Sequence, residues 1–197
     1  MEAVIIDSGG ANLASLQFAL ERLGARAAVS ADARAIASAA RVILPGVGSA
    51  ADAMQRLRRS GLAELLPTLR QPVLGICLGM QLLFERSAEG TTECLGLLPG
   101  AVQRLEAAPG RPVPHMGWNQ LTGARPDPLL AGIDPDQWFY FVHSYAVPAS
   151  AVTLARVDYG AALSAVVRRD NFWGAQFHPE RSAAAGARLL GNFLNLT

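Results

Sequence analysis

Pro72-Val73-Leu74-Gly75-Ile76-Cys77-Leu78-Gly79-Met80-Gln81 is the stretch whose reading decides the fold. Val73 to Ile76, with Pro72 in front, form a short apolar run of the kind that makes a strand buried on both faces. Leu78 to Glu85 reads as helix, so the chain passes from strand to helix within one residue, Cys77. Gly75 and Gly79 stand two before and two after it. A turn that sharp crowds its neighbours, and small residues at both positions let the backbone fold tightly. The side chain at the apex then projects above the strand end, beside the N-terminus of the next helix, where a thiolate is favoured. The N–H of Leu78 is placed to donate to an oxyanion. A small buried apolar cysteine, the commonest fate of a free thiol, fits the same pentapeptide. These five residues alone leave both readings open.

Outward from this elbow, the first half of the chain alternates in the same way. Ala3-Val4-Ile5-Ile6-Asp7 is a short buried strand, and Ser8-Gly9-Gly10 turns it into a helix. Leu13, Leu16, Leu20 and Leu23 line one face of that helix, with Asn12 as its N-cap and Gly24 as its stop. Arg41 to Leu44 is a second strand, closed by Pro45-Gly46-Val47-Gly48, and Ala50, Met54 and Leu57 share one face of the helix that follows. Such alternation implies βαβ units and a parallel sheet. The second half reads differently. Strands are predicted over Val102–Leu105, Gln137–Val142, Val152–Val157, Leu163–Arg168 and Trp173–Phe177, with irregular Pro- and Gly-rich loops from Pro99 to Pro128. Ser182 to Leu196 is predicted helical, with Leu189, Leu190, Phe193 and Leu194 as its apolar face. The expectation is one three-layer α/β domain over residues 1–197, with a mostly parallel central sheet and antiparallel additions.

Composition excludes several classes of function. Apolar residues make up 51% of 197 and charged ones 17%, enough to fill a core and too apolar for a disordered chain. A formal net charge of +1 provides no electrostatic footprint for nucleic acid or an anionic membrane. All seventeen basic residues are Arg, so Schiff-base and P-loop lysine chemistry are both ruled out. Cys77 and Cys94 are too few for a disulfide framework and lack metal-site spacing. No run of about 18 apolar residues is present, and Met1-Glu2 opens without the basic segment of a secretory signal. A soluble, cytoplasmic globular protein without metal or cofactor is the expectation.

A nucleophilic cysteine needs a base, and His115, His143 and His178 are the three candidates. His178 ends the apolar segment Trp173-Gly174-Ala175-Gln176-Phe177 and is followed by Pro179-Glu180. Proline biases the residue before it towards extended backbone, where side chains two apart share a side. His178 and Glu180 are therefore expected on one side, the carboxylate holding the imidazole tautomer. Pro45-Gly46-Val47-Gly48 falls at the same sheet edge as Cys77, where ligands bind in open α/β sheets. Its glycines allow Val47 or Gly48 to supply a second oxyanion donor, although, taken alone, the segment reads more simply as a plain β-to-α turn.

Together, Gly75-Ile76-Cys77-Leu78-Gly79-Met80-Gln81 and Phe177-His178-Pro179-Glu180 resemble the nucleophile and His/Glu motifs of the triad-type, or class I, glutamine amidotransferases. Within that family the chain is similar to the glutaminase subunits of imidazole glycerol phosphate synthase. Pro114-His115-Met116-Gly117-Trp118-Asn119 and Tyr140-Phe141-Val142-His143-Ser144-Tyr145 are the segments most specific to that group. The resemblance implies that Cys77 attacks the carboxamide of glutamine, assisted by His178 and Glu180, and that a glutamyl thioester is then hydrolysed. It implies Leu78, Val47 and Gly48 around the oxyanion, and Gln81, Glu89, Ser144 and Tyr145 around the substrate. Glu89 is then the counter-charge for the substrate ammonium, and Ser144 and Tyr145 contribute backbone groups. His143 becomes pocket scaffolding and His115 part of a structural loop.

The glutaminase motifs fill the 197 residues, so the resemblance assigns ammonia use to a partner, a (β/α)₈-barrel cyclase forming imidazole glycerol phosphate and AICAR. Asn12, Ser15 and Arg181 match family positions at the docking face. Two departures touch that face. Ser8-Gly9-Gly10-Ala11-Asn12 stands where the family has Tyr-Gly-x-Gly-Asn, and Arg181 stands where it has Lys. Three rival readings remain. A glutaminase subunit of anthranilate or pyridoxal phosphate synthase lacks Pro114–Asn119 as it stands here. A redox-sensing relative needs no His-Pro-Glu pair, and a binding module leaves Cys77, His178 and Glu180 together as coincidence.

Overall fold

A computed structural model describes residues 2–7, 9 and 13–196. Its elements in chain order are β1 (Glu2–Ile6), α1 (Leu13–Arg22), β2 (Arg26–Ser30), α2 (Ala33–Ser38), β3 (Val42–Gly46), α3 (Ala50–Arg59), α4 (Leu62–Leu65), β4 (Val73–Cys77) and α5 (Leu78–Gln81). There follow β5 (Arg86–Ser87), β6 (Thr92–Glu93), β7 (Ala101–Arg104), β8 (His115–Gln120), β9 (Trp138–His143), β10 (Tyr145–Ala146), β11 (Thr153–Asp158), β12 (Ala162–Arg169), β13 (Phe172–Ala175) and α6 (Ala183–Leu194). The central sheet has seven strands in the order β11-β12-β13-β4-β3-β1-β2. β13, β4, β3, β1 and β2 run parallel, whereas β11 and β12 are antiparallel additions at one edge. β4 lies in the middle, so the elbow at its end rises from the best-supported strand.

Alternation along the strands divides the core between two faces. Ile5, Ile43, Leu74 and Ile76 pack with α1 and α6 through Leu16, Leu20, Leu189 and Phe193. Val4, Ile6, Val42, Leu44 and Val73 pack on the other face with Ile36, Met54, Leu57 and Leu62. Burying each such side chain is worth about 1.5–3 kcal/mol, and this covering holds a parallel sheet together. Ser49 caps α3 by accepting the Asp52 N–H, and Arg56, Arg58 and Arg59 sit in its last turn, where cations suit the helix dipole. Gly24 closes α1 with φ +76°, as a left-handed helix stop requires. No helix among the described residues is long and apolar enough to cross a membrane.

Four expectations need correction. The helix after Cys77 is a single turn, Leu78–Gln81, because the chain leaves α5 to cover Phe84 and Leu98 and to form β5. The Pro- and Gly-rich region holds a second strand, β8, besides the expected β7, and His115 is therefore on a strand. β8 pairs antiparallel with β9 as a two-stranded ribbon, His115 opposite His143. Glu180 sits in a 3-10 turn, Pro179–Arg181, rather than in extended backbone. β2 went unpredicted because an edge strand needs little apolar surface: only Ala27 of its five residues is buried. The proposed N-cap Asn12 lies outside the described residues.

Candidate active site

The elbow is built by steric exclusion. A Cβ placed on Gly79 would run into the Leu44 carbonyl oxygen, and one on Gly75 would lie 2.7 Å from the Gly79 oxygen and 2.8 Å from Met80 Cα. A Cβ on Gly46 would sit 2.7 Å from the Gly79 nitrogen. Three backbones thus meet at contact distances that only glycine permits. Cys77 itself adopts φ 54°, ψ −113°, a region L-residues avoid at a cost of about 1–3 kcal/mol. Strict alternation would send Cys77 to the side of Val73. The strained turn instead seats it in the cluster of Leu74 and Ile76, facing β9 and the segment after β13.

That segment brings His178 and Glu180. His178 Nδ1 lies 2.8 Å from Glu180 Oε1, with both side chains largely buried. The 3-10 turn achieves the pairing that an extended backbone was expected to provide. Since Nδ1 is committed to the carboxylate, Nε2 is the nitrogen left for Cys77. Burial pulls the His178 pKa down. Hydrogen bonds to Cys77 and Glu180, with the negative charge each can carry, outweigh burial and push it up to about 10. Across neutral pH the ring is therefore built to hold a proton beside the sulfur. Cys77 Sγ also lies 3.8 Å from the Val142 carbonyl oxygen on β9 and 3.9 Å from Gln176 Nε2.

These groups line one cavity of about 450 Å³ at the carboxyl edge of the parallel strands. Its wall gathers Cys77, Leu78, His178 and Glu180 with Val47, Gly48, Gln81, Glu89, Ser144, Tyr145 and Arg181. β3 pairs with β4 so that Gly46 stands opposite Cys77, which carries Val47 and Gly48 onto the cavity wall that Cys77 also lines. Glu89 enters from a 3-10 turn, and its Oε2 accepts the Ala50 N–H at 2.7 Å at the start of α3. The carboxylate is thereby fixed at the rim by a helix end.

A family model described as glutamine amidotransferase class-I matches residues 4–196. The chain belongs to the class I glutamine amidotransferases. Two curated members of that family extend the comparison. Imidazole glycerol phosphate synthase subunit HisH of Xylella fastidiosa strain Temecula1 is 56% identical over 195 residues, 99% of this chain and 98% of its own length. The subunit of the same name from Xanthomonas euvesicatoria pv. vesicatoria strain 85-10 is 56% identical over 196 residues, 100% and 98% of the two chains. Among solved structures, one described as a glutamine amidotransferase has a TM-score of 0.75 at 22% identity, covering 98% of this chain and 96% of its own. The structure of PurLQS from Thermotoga maritima reaches 0.72 at 20% identity, covering 98% and 97%. At those identities the shared property is the fold.

The remaining two histidines of this amidotransferase form a relay whose direction is set by one backbone carbonyl. The Tyr145 oxygen can only accept, so His143 Nδ1, 2.9 Å away, carries a hydrogen. Burial lowers the His143 pKa to about 4, which keeps the ring neutral and makes Nε2 an acceptor. His115 Nδ1, 3.0 Å distant, must then donate to it, and His115 Nε2 accepts from Asn119 Nδ2 at 3.4 Å. His115 is itself pushed down to about 4 by burial, and it is stacked between Phe141 and Tyr159. Both rings are bound up in structure, as expected of His143. Ser144 and Tyr145 were expected to offer backbone groups to a ligand. The Ser144 carbonyl already accepts the Leu105 N–H, and the Tyr145 carbonyl accepts both His143 and Gln81.

Of the expected docking residues, Asn12 lies outside the described residues and Ser15 is half-buried on α1. Arg181 is exposed, its guanidinium 4.3 Å from the centroid of the Tyr140 ring. Sequence reasoning missed the surface beside it. Met116, Trp118 and Trp138 share the outer face of the β8–β9 ribbon, exposed by 65%, 51% and 51%. Large apolar side chains that alternate outward on a two-stranded ribbon were the available signal. Gln176 and Val142 were also missed, although a glutamine inside an apolar strand segment is a visible anomaly.

Proposed function

We propose that this chain is the glutaminase subunit of an imidazole glycerol phosphate synthase in histidine biosynthesis. The observation that carries the reading is the 2.8 Å His178–Glu180 pair set against a strained Cys77 in one cavity. Full-length relatives named as that synthase subunit, at 56% identity, support the choice of pathway.

With the Cys77 proton held on His178 Nε2, the thiolate attacks the glutamine carboxamide carbon, forming a tetrahedral oxyanion. The Leu78 N–H and the Val47–Gly48 segment stabilise that charge, a contribution worth about 2.7–4 kcal/mol per donor in comparable sites. His178 returns the proton to the departing nitrogen, releasing ammonia and leaving a thioester. Water, deprotonated by His178, then hydrolyses the thioester to glutamate and frees the thiol. Glu180 stabilises the imidazolium at both stages. Glu89 faces the substrate ammonium, while Gln81, Ser144 and Tyr145 complete the substrate wall.

Ammonia released into water would become ammonium, which has no lone pair for attack. A cyclase subunit of (β/α)₈-barrel fold is therefore proposed to dock over the cavity mouth and receive it in a protected passage. Asn12, Ser15 and Arg181, with the exposed ribbon face of Met116, Trp118 and Trp138, form the proposed contact. The test is glutamate release by the chain alone and with the cyclase carrying its ligand. Strong stimulation is expected, and equal rates overturn the partnership. Cys77→Ser is expected to abolish glutamine-dependent synthesis while ammonium still supports the cyclase. Retained glutaminase activity in that variant overturns the mechanism.

A further inference from the structure

We propose that Gln176 is a positioning residue for the nucleophile, coupling the sulfur of Cys77 to Gln81 through a single hydrogen-bonded chain. Gln176 follows β13, whose Ala175 pairs with Ile76, so it stands beside Cys77 on the neighbouring strand. Its side chain is fully buried, and its main-chain N–H is committed to the Ala165 oxygen at 2.9 Å. A buried amide is costly unless its polar atoms are matched, so its partners report its purpose.

The orientation of each amide follows from chemistry. The Tyr145 carbonyl has no hydrogen to give, so the Gln81 amide must turn its nitrogen towards it, at 2.8 Å. The same nitrogen lies 3.0 Å from the Gln176 side chain, which must meet it with Oε1. Gln176 Nε2 therefore points the other way, and there it reaches Cys77 Sγ at 3.9 Å. In the reversed orientation two amide nitrogens would confront each other and an oxygen lone pair would face the sulfur. The Tyr145 carbonyl, held from its other side by His143, thus dictates that a donor faces the nucleophile.

Two consequences follow. A fixed N–H donor favours the charged sulfur formed when Cys77 yields its proton, because hydrogen bonds to ions are stronger than those between neutral groups. In addition, both N–H hydrogens of Gln81 are spent, so only Oε1 of this cavity-lining residue is left to face a ligand. Gln81 accordingly meets a donor, such as an ammonium or the amide nitrogen of an amino acid. This inference rests on Cys77 being the nucleophile.

The experiment measures the pH profile of iodoacetamide alkylation at Cys77 in the full chain, with Cys94 resolved separately by peptide mass spectrometry. The titratable groups around the sulfur are His178 and Glu180 from the segment after β13, His143 from β9, Tyr145 from β10, and Glu89 and Arg181 on the cavity wall. All are kept. Gln176→Met preserves length without hydrogen bonds. It is expected to move the alkylation midpoint up by about one pH unit, roughly tenfold less reactive sulfur below it. It is also expected to lower kcat and raise KM, because Gln81 loses its tether. Gln81→Met, which severs the chain one link away, is expected to shift the midpoint in the same direction. The double variant should shift it no further than the larger single. Unchanged profiles in both single variants, or additive shifts, overturn the proposal. If Gln176→Met does not fold, the Gln81→Met profile decides alone. Alkylation needs no amide substrate, so the shifts can appear even if glutamine is not hydrolysed, which separates failure of this inference from failure of the proposed function.

Discussion

Replacing Gly79 by alanine sets two effects of known size against each other. Gly79 lies in the helical turn α5, where alanine gains about 1 kcal/mol over glycine in intrinsic propensity. Against this, the added methyl would meet the Leu44 carbonyl oxygen and lie 2.8 Å from its carbon. A carbon normally stays about 3.3 Å or more from a carbonyl oxygen. Relief therefore requires β3 and the elbow to separate, yet Leu44 is fully buried in a central strand and pairs with Gly75. Overpacking of this kind costs about 1–3 kcal/mol and more where neither side can yield. Neither side can yield here, so the clash costs about 4 kcal/mol, and subtracting the propensity gain of about 1 leaves a net loss of about 3 kcal/mol. In urea, at a slope of about 1–3 kcal/mol/M, the midpoint should fall by at least about 1 M. Glutamate release should fall with it, because Gly46–Gly48 move away from Cys77. Gly48→Ala is the control: with φ +88° and nothing within 4 Å, it carries only conformational strain of about 1–2 kcal/mol. A Gly79→Ala protein as stable as the parent refutes the steric account of the elbow.

Further outcomes follow from the same geometry. Glu180→Gln can keep the hydrogen bond to His178 Nδ1 through Oε1; it removes the charge and leaves an amide nitrogen at the buried position where Oε2 has no partner. A fall in kcat of about 10–100-fold is expected, equivalent to about 1.5–3 kcal/mol, and unchanged kcat contradicts the role. The histidines also shape stability against pH. His115 and His143, lowered to about 4 from 6.5, bind fewer protons folded than unfolded, so stability should fall as pH drops through that window. His178, raised from 6.5 to about 10, acts in the opposite sense, with its contribution complete below 6.5 and lost as pH rises towards 10. Denaturation across pH should therefore show a histidine-dependent maximum near 6.5, and His178→Gln should flatten its alkaline side. Trp118→Ala, on an exposed ribbon position, should leave the melting temperature unchanged while weakening cyclase binding at least about 30-fold by titration, as central aromatic anchors do.

How much was legible depended on whether a residue's partners lie close in sequence. Gly75, Cys77 and Gly79 belong to one turn, so their spacing announced the elbow. His178 and Glu180 are two apart, and their pairing was foreseen even though a 3-10 turn, not a strand, delivers it. The parallel strands β1, β3 and β4 were readable because both their faces are buried and they carry continuous apolar runs. β2 was not, because an edge strand buries little. β8 was concealed by prolines and glycines around it, and Leu78–Glu85 reads as helix by composition although tertiary packing ends the helix after one turn.

The chain's order of residues thus determined the strained elbow, the parallel core and the pairing of His178 with Glu180, all of which rest on local sterics and periodicity. Tertiary structure alone decided which carbonyl orients which amide. Tyr145, Gln81, Gln176 and His115 come from distant segments, and their hydrogen bonds exist only once β4, β8, β9 and β13 converge. Directional polar contacts between remote strands leave no periodic trace in sequence, because each demands only one suitably placed atom from each partner.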